Sequence, residues 1–459
     1  MKKTALLFIA FLASLAINAQ DITGQWNGVL KVQGMALRLV FNISKTDTGY
    51  SATMDSPDQS VKGIPVTTTT FENGKLALEV ANAGIKYTGE LKDSEVVGIF
   101  KQGGMEVPMN LSRKAIEKEL PKRPQEPKKP FAYYTEDVTF KNEKADVILS
   151  GTLSLPKKEG VFPVVVLITG SGTQNRDEEL LGHKPFLLLS DYFTKNGIAV
   201  LRYDDRGIGQ STGDFETATS ADFATDVESA IAYLETRKEI NKKKIGLVGH
   251  SEGGIIAPMV AAKSKDVNFI ILLAGTGIQG DKLLLLQDEL IARASGASED
   301  EIKKAIEINS KLFDLVNKST ENEKLKADMT ILLKADTAKL SNEMSQDEFI
   351  AEQVNQLASP WMQYFIKYDP APTLEKVKCA VLAVNGGKDM QVPKENLTAI
   401  ENALKKGGNT HVTIREFPEL NHLFQECKTG APSEYAEIEQ TFSPIALDQI
   451  TKWIQSQVK

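Results

Sequence analysis

The run Gly249-His250-Ser251-Glu252-Gly253 places a hydroxyl between two glycines, with Asp389 and His422 further along the chain. A serine hydroxyl is a weak nucleophile until a neighbouring base takes its proton. A carboxylate that holds the imidazole in the right tautomer completes the set. These three residue types suit acyl transfer through a covalent serine intermediate, provided the fold brings them together.

Only four histidines can supply the base. His250 adjoins Ser251, and neighbours on a tight turn point apart. His411, in residues 410–414, reads as a strand residue packed in the core or at a sheet edge. His183 precedes the serine and could line a cleft. His422 follows the last strand in a short loop, where the base belongs if the order is serine, acid, histidine. The acid then belongs to the loop after the intervening strand. Asp389 is the candidate there, although alone it would read as a turn or helix-capping aspartate.

The developing oxyanion needs two backbone donors. One is expected from Glu252 N–H, the other from the glycine-rich loop 169–177, with Ser171 chosen and Gly172 as the alternative. The Glu252 side chain needs no chemical role, because a carboxylate suits the first turn of a helix. Gly207, Gly209 and Gly213 imitate a dinucleotide fingerprint, but the third glycine comes one residue late. That loop is expected to shape the cleft floor.

Such residues must be held by a rigid frame. Residues 163–169, 198–203, 245–249, 269–274 and 380–384 are short apolar runs rich in Val, Ile and Leu, as strands buried on both faces require. Helical patterns, such as 220–237, lie between them. The expectation is an α/β fold with a doubly wound, mostly parallel sheet over residues 133–459. Ser251 would sit on a strained turn between the strand at 244–248 and a helix at 255–262, which explains the glycines. Between 274 and 378 no strand-like run occurs. The amphipathic stretches 283–294, 299–316, 323–334 and 346–365 predict a helical cap at about 279–371.

Residues 20–112 alternate apolar and polar side chains at 35–43, 75–80 and 96–100, and Asn73-Gly74 reads as a hairpin turn. A small antiparallel β domain follows. Residues 113–132, with Pro121, Pro124, Pro127 and Pro130 among lysines and glutamates, read as a semi-rigid, solvated linker.

Composition is that of a globular chain, with 41% hydrophobic and 25% charged residues. A net charge of −7 without a basic cluster argues against nucleic acid. Lys2 and Lys3 precede an apolar run ending near Asn18-Ala19-Gln20, so residues 1–19 are expected to be a signal peptide and the product periplasmic or extracellular. No other stretch predicts stable membrane insertion. Cys379 and Cys427 leave a disulfide and two free thiols both open, and two cysteines alone make no zinc site.

Taken together, the 203–211 loop, the 249–254 turn, Gly387-Lys388-Asp389 with Val392-Pro393, and Asn421-His422 resemble the α/β-hydrolase superfamily over roughly residues 133–459. Gly170-Ser171-Gly172 with Asn175-Arg176-Asp177 resembles bacterial carboxylesterases and the serine aminopeptidase-like branch. The resemblance implies no metal and no organic cofactor, and it does not extend to the β domain. The first expectation is a carboxylesterase taking a small-molecule ester of short to medium acyl chain. The second is an aminopeptidase-like serine peptidase, which needs a carboxylate in the cap for the substrate amine. The third is a non-catalytic binding protein working through the β domain, whose partner the sequence does not name.

Overall fold

The computed structural model describes residues 21–32, 35–59, 61–102, 105–116, 122–336 and 346–459. The expected signal peptide at 1–19 and Pro121 of the expected linker lie outside them. The chain divides into two compact units at residues 119/120.

The first unit is antiparallel β structure. Its strands are β1 (Gly24–Val32), β2 (Met35–Thr46), β3 (Gly49–Ser56), β4 (Val61–Val66), β5 (Thr68–Glu72), β6 (Lys75–Val80), β7 (Ile85–Lys92), β8 (Glu95–Gln102), β9 (Met105–Pro108) and β10 (Leu111–Ser112). They pair in the order β4-β3-β2-β1-β10-β8-β7-β6-β5, with β9 on β8. Strand β5 returns alongside β3, so the sheet nearly closes. The Asn73-Gly74 hairpin forms between β5 and β6, with Asn73 at φ 50° and Gly74 at φ 78°, as a turn with two left-handed residues requires. Alternation puts Leu76, Leu78 and Val80 inside, against Trp26, Phe41, Tyr87 and Phe100. The Arg113 guanidinium lies 4.0 Å over the Trp26 ring.

The second unit holds β11 (Tyr134–Asn142), β12 (Val147–Leu155), β13 (Phe162–Ile168), β14 (Ala199–Tyr203), β15 (Ile240–His250), β16 (Val267–Leu273), β17 (Ala380–Gly386) and β18 (Val412–Phe417). Their order in the sheet is β11-β12-β14-β13-β15-β16-β17-β18. From β14 to β18 every pairing is parallel, while β11 and β12 add an antiparallel edge. Successive strand residues face opposite sides. Val164 and Val166 of β13 therefore pack with one apolar cluster, which takes in α2 (Ser220–Thr236) and α3 (Gly253–Ala261). Val165 and Leu167 join the other cluster, with α1 (Pro185–Lys195) and the C-terminal helix (Pro444–Gln457). Burial on both faces is why these strands read as unbroken apolar runs.

Between β16 and β17 lie α4 (Gly280–Ala294), α5 (Glu299–Lys318), α6 (Asn322–Asp336), α7 (Gln346–Leu357) and α8 (Pro360–Lys367). Leu312, Phe313, Val316, Met329, Ile350 and Val354 give them a core of their own. The stretch expected as one helix at 346–365 is two. Pro360 disfavours helical backbone at Ser359, and the Ser359 hydroxyl instead caps α8 by accepting from Met362 N–H.

The expected solvated linker is corrected at three side chains, Arg113, Arg123 and Gln125. Arg113 packs into the first unit, as above. In the second unit the Arg123 guanidinium donates to the carbonyls of Leu181 and Ile438 at 2.7 and 3.0 Å. Gln125 Oε1 accepts from Thr441 N–H at 2.6 Å, and its amide donates to Phe442 O at 2.8 Å. Side chains with this many donors and acceptors satisfy loop carbonyls that would otherwise need water.

Candidate active site

The carboxyl ends of β13, β15, β16 and β17 come together, as ligand-binding ends of open parallel sheets do. At the end of β15, Ser251 has φ 52°, a left-handed conformation unusual for serine. Its N–H donates to Leu273 O at 2.8 Å. The surrounding glycines are steric necessities. A Cβ on Gly249 would lie 1.9 Å from Gly253 O, one on Gly253 2.3 Å from Ile168 O, and one on Gly254 2.5 Å from the Gly275 Cα. The helix beginning at Gly253 can approach the sheet this closely only without those side chains.

The same five-residue pattern recurs at Gly209-Gln210-Ser211-Thr212-Gly213. There the serine is buried and its hydroxyl is used, donating to Asp204 O at 2.7 Å and accepting from Ser150 N–H at 2.9 Å. That turn follows no strand-to-helix crossing and is a scaffold element.

Asp389 and His422 meet. The carboxylate Oδ2 lies 2.8 Å from His422 Nδ1, and both side chains are at most 5% exposed. Asp389 Oδ1 accepts from the N–H groups of Gln391 and Val392 at 2.8 and 2.9 Å, so the carboxylate is fixed from both sides. His422 is held against the serine turn, because His250 Nε2 lies 3.1 Å from His422 O and the two rings are 4.8 Å apart. With Nδ1–H pointing at Asp389, Nε2 is left as the basic nitrogen.

The loop after β13 closes the site on the other side. A Cβ on Gly170 would come 3.2 Å from Ser251 Cβ. Gly172, at φ 91°, borders open space. Within the described residues the backbone N–H groups of Ser171, Gly172 and Glu252 meet no acceptor, as donors kept for a substrate oxygen would be.

That loop is clipped to the end of β14 and the chain after it. Arg176 makes a two-pronged pair with Asp204 at 2.7 and 3.0 Å, and Asp177 pairs with Arg202. Asp205 accepts from Thr169 Oγ1 at 2.7 Å and Gln174 N–H at 3.1 Å. The loop expected to form the cleft floor thus anchors the glycine-rich loop after β13. A Cβ on Gly209 would touch Asp204 Oδ2 at 2.6 Å, so its glycines wrap a carboxylate of the protein itself.

The other histidines do not join the set. His183 is buried, with Nδ1 3.0 Å from Thr441 Oγ1, and burial pushes it down to about 4. His411 precedes β18 and is exposed, which corrects the expectation of a packed strand residue. Among the described residues no group of three or more His, Cys, Asp or Glu could hold a metal ion. No helix among them is long and apolar enough to cross a membrane.

Sequence reasoning left Glu252's side chain without a task and did not single out Glu178, Ser220 or Trp361. Glu252 Oε1 accepts from Ser220 Oγ at 2.6 Å and from Trp361 Nε1 of α8 at 2.8 Å. Burial pushes this carboxyl up, against the pull of both hydrogen bonds. Glu178 Oε1 accepts from Gly170 N–H at 2.7 Å and lies 2.9 Å from His250 Nδ1. Its position directly after Asn175-Arg176-Asp177 was the one available signal.

Residues 146–417 match the family described as X-Pro dipeptidyl-peptidase (S15 family). The esterase EstD of Thermotoga maritima is 25% identical over 330 residues, covering 71% of this chain and 68% of that protein. Solved structures that resemble it include an esterase of Pyrococcus furiosus, at TM-score 0.43 and 16% identity over 71% of this chain and 93% of that one. Est1E of Butyrivibrio proteoclasticus, solved with ferulic acid bound, gives 0.42 and 15% over 70% and 99%. With its match spanning more than half of its length, the chain belongs to the S15 family of serine hydrolases, within the α/β-hydrolase superfamily.

Proposed function

We propose that this protein is an exported carboxylesterase acting on short to medium acyl esters, with Ser251 as nucleophile, His422 as base and Asp389 as the acid that orients it. The observation that carries the reading is the Asp389–His422 hydrogen bond beside a serine on a left-handed turn. His422 Nε2 takes the Ser251 proton as Oγ bonds to the acyl carbon. The oxyanion is met by Glu252 N–H and by Ser171 N–H, or by Gly172 N–H from the same loop. The ester C–O bond breaks, the alcohol leaves with the proton held by His422, and water then releases the acid by the same steps in reverse order. The helices between residues 279 and 371 act as the cap that shapes the acyl pocket.

An ester is preferred to a peptide because a peptidase trimming N-termini needs a free carboxylate for the substrate amine. Glu252, the carboxylate next to the nucleophile, is already engaged by Ser220 and Trp361. The relative named an esterase supports the same choice, and the family's name keeps the peptide reading in view. Ser251→Ala should lose at least ~10³-fold in turnover of a p-nitrophenyl acyl ester; unchanged turnover overturns the assignment. Parallel assays with Xaa-Pro arylamides decide between the bonds. Export rests on residues 1–19 and is tested by fractionating cells that express the full chain or one lacking them.

A further inference from the structure

His250 precedes the nucleophile yet points away from it, into a buried contact that joins three loops. Its Nδ1 faces Glu178 Oε1 at 2.9 Å, and its Nε2 faces the carbonyl oxygen of His422 at 3.1 Å. A carboxylate and a backbone carbonyl both only accept hydrogen bonds. A neutral imidazole has one N–H and could satisfy one of them. Only the imidazolium donates to both.

The Glu178 oxygen also accepts from Gly170 N–H at 2.7 Å, at the start of the oxyanion loop. One contact chain thus runs from Gly170 through Glu178 and His250 to His422, spanning the loop after β13, the end of β15 and the loop after β18. Glu178 itself stands at φ 50°, a conformation that a glutamate keeps only where its surroundings over-determine it.

We propose that Glu178 and a protonated His250 form a buried ion pair that acts as a positioning clamp, holding the oxyanion loop and the His422 loop at fixed distance from Ser251. This rests on the reading of His422 as the base. Burial works against the His250 charge. The Glu178 carboxylate, its hydrogen bond, the His422 carbonyl and the charge of Asp389 outweigh burial and hold His250 above its ordinary value. Asp205 and Glu252, two further buried acids near the nucleophile turn, are both pushed by burial toward their neutral forms. The pair touches the His422 loop through the His422 carbonyl, and its two charges balance.

Removing one member unbalances it. In His250→Gln the Glu178 anion stays buried near His422 without its counter-charge and favours the protonated base. The acid limb of the kcat/KM profile with p-nitrophenyl acetate should move to higher pH. kcat should fall by up to ~10²-fold, the scale of a small misplacement of catalytic groups, with little change in KM. The double variant Glu178→Gln/His250→Gln removes both charges and should return the acid limb to its wild-type position.

A readout independent of turnover is 15N-histidine NMR of the full wild-type chain at neutral pH. The four histidines are assigned by elimination with His183→Asn, His411→Asn and His422→Asn, so the test survives if His250→Gln does not fold. Directly bonded protons on both His250 nitrogens are expected. A bare nitrogen on His250 overturns the ion pair whether or not the enzyme is an esterase. An acid limb that stays in place in folded His250→Gln overturns the positioning role.

Discussion

Glu252 and Trp361 are joined by a 2.8 Å hydrogen bond from the indole Nε1 to the carboxyl Oε1, tying the residue after Ser251 to helix α8 across 109 residues of sequence. The bond couples the turn that carries the hydroxyl to the helices above it. Trp361 also stacks on Phe365 of the same helix at 5.2 Å, so its ring is held by packing as well as by the bond.

Removing the indole donor should therefore weaken both elements. Trp361→Phe keeps an aromatic ring and leaves Glu252 with Ser220 alone, at ~1–3 kcal/mol for a buried acceptor that loses a partner. Denaturant unfolding should show a loss of that order. Combined with Glu252→Ala the two losses should not add, because they share one contact. Strict additivity would show that the bond carries no coupling.

The Glu252 carboxyl also has a predictable pH signature. Burial raises it, so in the range above its ordinary value of 4.5 the folded chain keeps a proton that the unfolded chain gives up. Stability from this group is fully present at low pH and is lost as pH rises through the folded value. Glu252→Gln removes that dependence. Its melting temperature should match or trail wild type near pH 4 and exceed it by about a few degrees at pH 8. A gap that does not widen with pH contradicts the burial argument.

On the proposed mechanism, Asp389→Asn should be far more damaging than its size change suggests. The N–H donors of Gln391 and Val392 hold the side-chain oxygen. The new amide nitrogen would then face His422 Nδ1 and select the tautomer with the proton on the wrong nitrogen. A loss of ~10⁴-fold in kcat is expected at unchanged stability. A loss under tenfold would remove Asp389 from the mechanism.

The Arg206–Asp226 pair is a stability element. Arg206 donates from Nε and Nη2 to the two Asp226 oxygens at 2.8 and 2.9 Å, and Asn142 donates to the same carboxylate at 2.7 Å. Arg206→Met leaves that buried anion without its counter-charge and should cost about 3–5 kcal/mol in denaturant unfolding. Adding Asp226→Leu should recover part of the loss, which a surface pair would not do.

The two thiols should be inert. Both are free, and burial pushes Cys379 up to about 12 and Cys427 up to about 11. Since the thiolate is the reactive form, a thiol reagent at pH 8 should label the folded chain slowly and the unfolded chain at both positions. Rapid labelling of native protein would contradict this.

Much of the frame is local and was open to sequence reading. Apolar runs buried on both faces, the Asn73-Gly74 turn and the amphipathic stretches after β16 each declare themselves within a few residues, because strand and helix periodicities are short. The glycines about Ser251 are legible for a related reason: a sharp strand-to-helix turn excludes Cβ atoms within one step of the chain. Elimination among four histidines and the order serine, acid, histidine point to Asp389 and His422 on loops after consecutive strands, and the structure brings those two within hydrogen-bonding distance.

Other features depended on which loops meet. Two Gly-x-Ser-x-Gly runs are equivalent as strings and differ in their strand and helix context, and the packing of Ser211 against Asp204 and Ser150 shows its hydroxyl already in use. Sequence reading sets His250 aside as the base because it points away from Ser251, and its partner Glu178 lies 72 residues away. Trp361 was one apolar residue in a helical stretch until its indole found Glu252. Side chains that act by pairing across loops carry no period and no fixed spacing, so their roles are set by the tertiary contacts that leave them buried and in need of a partner.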